Sequence, residues 1–291
     1  MIISEILCKI GIQGECRIIN EHEFDILARI TTQVEGKKCI FLAEKKYIRL
    51  IPPTATMIIT NEELAKDLLD DPVGLCICDD PKGIYFTILN YLAQEKNESK
   101  PTTIGTGCCI SDKASISETN VVIGNNVVIE DFACVNEGSI IGNNCIIRSG
   151  AQISVQDFNF FSYKGKSYPL KHTGVTVLGD SVDIGYNAQV GRALYEYNQT
   201  QIGNNCKIAN YAAIGHDSII GDNTNIYANV MIGGNVTIGN NSRVYMSSTI
   251  KNAISIGDSV KVNMGSVVIH DIADNKTVFG NPAKVIVLPK L

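Results

Sequence analysis

The feature of this sequence that most limits its fold is an aliphatic residue that returns every six positions. The repeat runs without a miss through twelve hexads, at Ile202, Ile208, Ile214, Ile220, Ile226, Ile232, Ile238, Val244, Ile250, Ile256, Val262 and Val268. An α-helix repeats every 3.6 residues and a strand every two, so neither explains this spacing. Each hexad is therefore one unit of a solenoid, and the spacing predicts a parallel β-helix.

Sharp corners separate the short strands that the hexads predict. Gly-Asn-Asn follows the aliphatic residue at Ile123, Ile141 and Ile202, and glycine and asparagine tolerate positive φ better than other residues. Small residues stand two positions before many of the aliphatic ones, where a narrow prism has little room. Three hexads should make one triangular coil.

The repeat occupies only part of the 291 residues. Residues 1–100 have no hexads, but their apolar runs predict strands at 39–42, 56–60 and 74–78, and helices at 62–69 and 80–94, the latter capped by Asp80. We expect a small α/β domain over 1–100, a β-helix over 101–270 and a C-terminal cap over 271–291. Residues 95–101 are the expected linker.

Two interruptions break the repeat, between Ile153 and Leu178 and between Val190 and Ile202. An insertion into a solenoid has to leave the prism. The first one carries four aromatic residues within 158–163, which we expect to be removed from water by covering a cleft or a neighbouring chain.

Composition excludes several classes of function. The net charge of −5, with acidic and basic residues interspersed, gives no basic stripe for nucleic acid. The sequence contains no run of about 18 apolar residues that would predict a membrane span. The segment 1–12 is too short and too polar for a signal peptide, so we expect a cytoplasmic location. The ten cysteines scatter along the chain and are predicted to be reduced. The four histidines lack ligand spacing, which argues against a metal site.

The hexads and their glycine-asparagine corners resemble those of the hexapeptide-repeat acyltransferases. This resemblance implies that the coil is left-handed and that three chains form a homotrimer with active sites between neighbours. Periodicity by itself fixes neither the handedness nor the oligomer.

Two subfamilies are similar in different parts of the chain. Residues 41–47, 158–160, 185–192 and 210–216 resemble UDP-3-O-acylglucosamine N-acyltransferase. That resemblance implies that Phe41 and Tyr47 help to hold uracil and that His216 is the catalytic base. Residues 214–222 and 277–286 are closer to sugar acetyltransferases that use acetyl-CoA. Together they imply transfer from acyl-CoA or acyl carrier protein to a UDP- or dTDP-linked amino sugar, without a permanently bound cofactor.

The spacing also suggests how the chemistry works. One coil of 18 residues separates His216 from Gly234, which should stack about 4.8 Å away. A neutral imidazole can take the proton of an attacking amine, while a backbone N–H in the next coil holds the developing oxyanion. Asp217 lies beside this predicted base. We expect direct transfer, with the His216 side chain pointing outward from its corner.

The candidate site residues form three groups. The predicted catalytic residues are His216, Gly234 and Asp217. The predicted substrate-binding residues are Phe41, Tyr47, Phe158, Asn159, Phe160, His172, Arg192 and Asn210. The predicted donor-binding residues are Gly234, Asn252, Gly280 and Lys284. Structural alternatives exist for three of them: a ladder between coils for Asn210, an ion pair with Glu196 for Arg192, and packing within the insertion for His172.

Two other functions fit the same sequence. One is a sugar O-acetyltransferase, since the sequence does not separate amine from hydroxyl acceptors. The other is a non-catalytic β-helix binding module, which the departures from the family at Glu44, Ala209 and Ala253 would allow. The position of His216 beside Asp217 and opposite Gly234 favours the enzyme.

Overall fold

The structure is a computed structural model that describes residues 1–95 and 99–286. The chain forms two compact units, one of Met1–Asn97 with Phe158–Lys171 and the other of Glu98–Asp157 with His172–Leu291. The insertion therefore belongs to the first unit, and its assignment to a β-helix domain over 101–270 is wrong. Residues 96–98 of the expected linker and 287–291 of the expected cap lie outside the described residues.

The first unit is built on a five-stranded sheet. Its strands are β1 (Arg17–Ile19), β2 (Ile26–Leu27), β3 (Lys38–Leu42), β4 (Ala55–Thr60) and β5 (Gly74–Ile77), in the order β1-β5-β4-β3-β2. All neighbours are parallel except β1 and β5. The helices are α1 (Ile3–Lys9), α2 (Glu62–Ala65) and α3 (Pro81–Glu95), with 3-10 turns at Gln13–Glu15 and Lys45–Leu50.

The sequence predicted the apolar elements of this unit and missed the marginal ones. The strands β3, β4 and β5 lie where expected, and Asp80 caps α3 by accepting a hydrogen bond of 2.8 Å from the Gly83 N–H. Helix α2 ends at Ala65, earlier than expected, because the next N–H groups bond three residues back, as Leu68 does to Ala65. Neither α1, β1 nor β2 was predicted.

The insertion folds as a hairpin of strands Phe160–Tyr163 and Lys166–Pro169. Alternation along the first strand buries Phe161 and Tyr163, and the Phe161 ring lies 5.7 Å from the Phe86 ring of α3. Phe160 is half-exposed, and Phe158 is 91% exposed. In a single chain, the expectation that all these aromatic residues leave water is therefore wrong for the outward half of the hairpin.

The second unit is a parallel β-helix with three faces, each a stack of short strands. Face 1 comprises Thr103–Ile104, Val122–Ile123, Ser139–Ile141, Val175–Leu178, Gln199–Ile202, Ile219–Ile220, Thr237–Ile238 and Ser255–Ile256. Face 2 comprises Cys109–Ile110, Val128–Ile129, Ile146–Ile147, Asp183–Ile184, Lys207–Ile208, Asn225–Ile226, Arg243–Val244, Lys261–Val262, Thr277–Phe279 and Lys284–Val285. Face 3 comprises Ser115–Ile116, Cys134–Val135, Gln152–Val155, Gln189–Gly191, Ala213–Ile214, Met231–Ile232, Thr249–Ile250 and Val267–Val268.

The hexad pattern accounts for the core of this unit. Each of the twelve aliphatic residues from Ile202 to Val268 is at most 4% exposed. Residues 18 apart pair on one face, as Ile214 does with Ile232. Corner residues such as Asn205 and Asn223 have positive φ, which asparagine tolerates. The predicted parallel β-helix is therefore confirmed.

The coil continues beyond residue 270, where the cap was expected to begin. Ile272 still bridges to Ile256 in parallel, and Thr277–Phe279 pairs in parallel with Lys261–Val262. The chain then reverses, and Lys284–Val285 pairs antiparallel with Thr277–Phe279. The last two strands thereby satisfy backbone groups that an open edge of face 2 would leave unpaired.

No helix within the described ranges is long and apolar enough to cross a membrane. All ten cysteines lie in those ranges as free thiols.

Candidate active site

Both interruptions of the repeat lie at one corner of the prism, between face 3 and face 1. We call it the 3–1 corner. The insertion leaves the coil there after Val155 and returns at Val175. One coil later the shorter interruption, 192–198, occupies the same corner. His216 follows in the next coil and Gly234 in the one after. The predicted base thus lies on the edge of the prism from which both interruptions emerge.

His216 and Asp217 form a hydrogen-bonded pair at this corner. The His216 Nδ1 atom lies 2.7 Å from Oδ2 of Asp217, and the two side chains are 14% and 5% exposed. Because an ionised carboxylate only accepts, Nδ1 of a neutral His216 carries the hydrogen and Nε2 presents its lone pair. The expectation of a freely outward His216 side chain is wrong, since the neighbouring loops enclose most of the ring.

The Asp217 carboxylate is fixed by groups from the shorter interruption. Its Oδ1 accepts hydrogen bonds from the Asn198 side-chain amide at 3.0 Å and from the Leu194 N–H at 3.3 Å. The Asp217 N–H in turn donates to Oγ1 of Thr200 at 2.8 Å. Asp217 has a φ of 57°, a left-handed corner conformation that aspartate tolerates. These contacts hold the carboxylate against Nδ1 of His216.

Gly234 lies directly against His216, one coil on, as the spacing predicts. A Cβ atom at Gly234 would be 2.6 Å from Nε2 of His216. The Asn235 N–H donates to the His216 carbonyl at 2.8 Å, which fixes the two coils relative to each other. A side chain at this position would displace the imidazole, so glycine leaves the His216 ring where it is.

His172 completes the site from the stem of the insertion, which is the segment 172–174 just before the chain re-enters the coil. Its ring centroid lies 5.2 Å from that of His216, with the planes at 88°. Nδ1 of His172 lies 2.8 Å from the Arg192 carbonyl oxygen, and the residue is 2% exposed. Burial lowers the pKa of His172, and the nearby His216 lowers it further. His172 is therefore held neutral.

Arg192 connects the two interruptions. Its Nε donates to the Gly174 carbonyl at 2.7 Å and its Nη2 to the Thr173 carbonyl at 3.3 Å. Nη1 lies 4.0 Å from Oε2 of Glu137. Burial lowers the pKa of Arg192. The guanidinium thus has a structural role at residues 173–174, with partners other than the predicted Glu196.

The other candidates in this unit are more dispersed. Asn210 lies at the corner between faces 2 and 3, where its Oδ1 accepts from the Tyr186 N–H at 3.1 Å, so it forms the predicted ladder contact. Asn252 is exposed at the 3–1 corner, one coil beyond Gly234. Gly280 directly follows the face 2 strand Thr277–Phe279, and Lys284 begins the last strand of that face. The structure therefore does not bring those two together with His216 in one chain.

The remaining candidates lie in the first unit. The Phe41 ring is 4.9 Å from Tyr85, and Tyr47 is 37% exposed in its 3-10 turn. Phe158 and Phe160 contact each other at 4.8 Å, and the intervening Asn159 accepts a backbone hydrogen bond within the hairpin. The predicted substrate residues thus divide between the two units.

A largely basic cavity of about 510 Å³ was not predicted. It lies in the first unit and is lined by Lys45, Lys46, Ile48, Arg49 and Asp67. The Lys45 ammonium is paired with the Asp67 carboxylate at 2.7 Å. Three cationic side chains around one cavity suit an anionic group. The sequence signal was available, because Lys45, Lys46 and Arg49 lie within two residues of Tyr47.

Three residues that hold His172, His216 and Asp217 in place were not predicted from the sequence. Gln156 and Asp157 precede the insertion, and Asn198 ends the shorter interruption. The Asp157 carboxylate accepts a hydrogen bond of 3.1 Å from the His216 N–H. Their polar side chains, placed at the ends of the two interruptions, were the sequence signal that could have identified them.

Among residues 1–95 and 99–286, no group of three or more His, Cys, Asp or Glu is arranged to hold a metal ion.

Buried His172 should make the stability of the protein depend on pH. Its pKa is near 6.5 when unfolded and lower when folded, so the unfolded chain binds more protons between the two values. Stability is then lost as pH falls below about 6.5. Urea unfolding at pH about 7.5 and about 5.5 should show a smaller loss for His172→Gln than for wild type. The exposed His270 offers the control His270→Gln; an unchanged pH dependence in His172→Gln would contradict this assignment.

Comparison with known proteins confirms the resemblance and the fold. The protein family described as bacterial transferase hexapeptide (six repeats) matches residues 120–154, 199–234 and 217–252. The solved UDP-N-acetylglucosamine acyltransferases of Bacteroides fragilis and Campylobacter jejuni are 24% and 26% identical, with TM-scores of 0.51 and 0.50. Each alignment covers 62% of this chain, and 72% and 74% of the respective solved chains. The β-helix is therefore of their left-handed type.

Two similar curated proteins carry the same name. UDP-3-O-acylglucosamine N-acyltransferase of Coxiella burnetii is 28% identical over 237 residues, which cover 70% of this chain. The enzyme of the same name from Rickettsia bellii is 36% identical over 91 residues, 31% of this chain and 26% of its own length. The chain spans 65% of the length of the Coxiella protein.

Proposed function

We propose that this protein transfers an acyl group from a thioester donor to the amine of a UDP-linked amino sugar. The observation that carries the proposal is the His216–Asp217 pair, enclosed at the 3–1 corner and facing Gly234. Such a pair suits general-base catalysis, because the carboxylate orients the imidazole and stabilises its protonated form. The names of the similar proteins support an acyl transfer and a UDP-sugar acceptor.

The geometry supports a direct transfer. Nε2 of His216 takes a proton as the amine nitrogen attacks the thioester carbonyl. The Gly234 N–H donates to no acceptor among the described residues, so it is available to the oxyanion of the tetrahedral intermediate. When the C–S bond breaks, His216 returns the proton to the leaving thiolate. The net change is one C–N bond formed, one C–S bond broken and one proton moved from nitrogen to sulfur.

The first unit is the proposed binding site for the nucleotide. Lys45, Lys46 and Arg49 line the basic cavity, which suits a diphosphate. Tyr47 adjoins them in the same 3-10 turn and offers an aromatic face for a base. The donor, either acyl-CoA or acyl carrier protein, is proposed to place its thioester against Gly234.

An acceptor panel tests this function. Purified protein is incubated with acyl-CoA or acyl carrier protein and with UDP-amino sugar, dTDP-amino sugar or the hydroxyl analogue of the UDP-sugar. We expect mass spectrometry to detect the amide of the UDP-amino sugar. Acylation of the hydroxyl analogue alone would favour an O-acyltransferase, and absence of any product would favour a binding module.

We also propose a homotrimer, as in the family that the chain resembles. The outward residues Val122 and Ile140 of face 1 lie side by side and are 48% and 39% exposed, an apolar patch that association would remove from water. Light scattering at micromolar concentration should give three times the chain mass of 31.6 kDa. Ile140→Glu should lower this mass, whereas Ile146→Glu, on the outward side of face 2, should not. A wild-type monomer would contradict the proposal.

A further inference from the structure

Three cysteines of the first unit lie together at one end of its sheet. Cys16 directly precedes β1, Cys76 lies within β5, and Cys78 follows that strand. The strands are antiparallel and Arg17 pairs with Ile77, so the same register places Cys16 opposite Cys78 and diagonal to Cys76. The thiols of Cys76 and Cys78 both hydrogen-bond to Cys16. These three residues, the thiol cluster, take no part in the proposed acyl transfer.

The members of the thiol cluster differ in their access to solvent. Cys16 is partly exposed, whereas Cys76 and Cys78 are buried, at 0% and 7% exposure. A reagent that arrives from solvent therefore meets Cys16 first, with the other two thiols directly behind it.

The hydrogen bonds within the thiol cluster favour the thiolate form of Cys16. Donation from Cys76 and Cys78 lowers the pKa of Cys16, although burial and the Glu15 carboxylate oppose this shift. The same hydrogen bonds, together with burial, raise the pKa of Cys76 and Cys78. The thiolate is the reactive form of cysteine. Cys16 is therefore the nucleophile of the cluster, and the other two residues keep their protons.

The strand register suits a covalent bond between Cys16 and Cys78. Residues directly opposite each other in an antiparallel pair have Cα atoms about 4.5 to 5.5 Å apart. A disulfide spans Cα atoms about 4.4 to 6.8 Å apart. A diagonal pair is separated by about 7 to 8 Å, so Cys76 is less suited to the bond than Cys78.

The surroundings of the thiol cluster indicate a class of reagent. Glu15 precedes Cys16, and its carboxylate accepts a hydrogen bond of 2.6 Å from the Tyr163 hydroxyl and pairs with the Lys164 ammonium. The carboxylate of Asp80, which caps α3, also lies near the cluster. Partial enclosure and two neighbouring carboxylates favour a small, uncharged oxidant over a large anionic one such as glutathione disulfide.

We propose that Cys16 and Cys78 form a reversible disulfide when the protein reacts with hydrogen peroxide. The Cys16 sulfur attacks one peroxide oxygen, so that an S–O bond forms, the O–O bond breaks and the released hydroxide takes up a proton to become water. The Cys78 sulfur then attacks the Cys16 sulfur, and the hydroxyl group leaves with the Cys78 proton as a second water. The two thiols lose two electrons, which reduce one peroxide to two waters.

Peptide mass spectrometry tests this proposal on the whole protein. Reduced protein is treated with hydrogen peroxide, its remaining thiols are blocked with N-ethylmaleimide under denaturing conditions, and it is digested with trypsin. We expect peptides 10–17 and 67–82 to be linked, and a thiol reductant to separate them. Cys16 should be consumed about tenfold faster than Cys8, which is exposed in α1 but lies outside the thiol cluster.

Variants identify the partner of Cys16, because Cys76 and Cys78 lie in the same tryptic peptide. The link should persist in Cys76→Ser and disappear in Cys78→Ser. In Cys78→Ser, dimedone should trap the sulfenic acid of Cys16, which then has no thiol opposite it. Cys8→Ser is the matched control and should leave the yield of linked peptides unchanged. The reverse behaviour of Cys76→Ser and Cys78→Ser would overturn the assignment of Cys78.

Wild type alone decides the case if a variant does not fold. Equal rates for Cys16 and Cys8, or the absence of linked peptides after Cys16 has been consumed, would overturn the proposal. A link to any cysteine outside the thiol cluster would do the same. None of these measurements depends on acyl transfer, so the disulfide and the proposed function can fail separately.

Discussion

Replacing His216 with alanine is expected to lower kcat for acyl transfer by about 10²- to 10⁴-fold. The imidazole is the base that removes the proton of the attacking amine, and Asp217 holds its Nδ1 at 2.7 Å. Asp217→Asn should also slow the reaction, because an amide does not stabilise the imidazolium as a carboxylate does. Rates of wild type and both variants from pH 6 to 9 would measure these effects.

The thermal stability of His216→Ala should fall slightly, since Asp217 is 5% exposed and loses one of its partners. His270→Ala is the matched control, because His270 is exposed at the far end of the coil and should retain full activity. A smaller defect at high pH would indicate an amine that arrives already deprotonated. Equal activity of His216→Ala and wild type across the range would remove His216 as the base.

Replacing Gly234 with alanine is expected to lower kcat by about 10²-fold, because a displacement of the base by one ångström can cost that much. The added Cβ would lie 2.6 Å from Nε2 of His216. The His216 ring has to move. This movement breaks its hydrogen bond with Asp217 or turns Nε2 away from the amine of the sugar substrate. Valine should be worse, since it also obstructs the proposed path of the acyl chain and should raise the KM for the thioester.

Gly14→Ala is the control for a glycine substitution, because a Cβ there meets no atom within 4 Å. It should leave both the activity and the melting temperature unchanged. The melting temperature of Gly234→Ala should fall little, since the obstacle is one side chain rather than backbone. If Gly234→Ala retained full activity, the contact between Gly234 and His216 would be irrelevant to catalysis.

The β-helix and one part of its site follow from the sequence alone. An aliphatic residue every six positions can be buried continuously only if each hexad is one side of a triangular coil, so Ile214 and Ile232 pair without further information. The same arithmetic places Gly234 against His216. The first unit was predicted only where apolar runs are long, as in β4; short elements such as β2 carry too little local signal.

The surroundings of His216 depend on how the loops pack in three dimensions. The sequence does not show how the two interruptions pack at their shared corner, so it predicted an outward His216 and separate roles for His172 and Arg192. In the fold these three residues form one network, because the stem of the insertion returns beside the shorter interruption. Periodicity specifies contacts between residues 18 apart, whereas contacts made by irregular loops depend on where those loops return, and no repeat encodes that position.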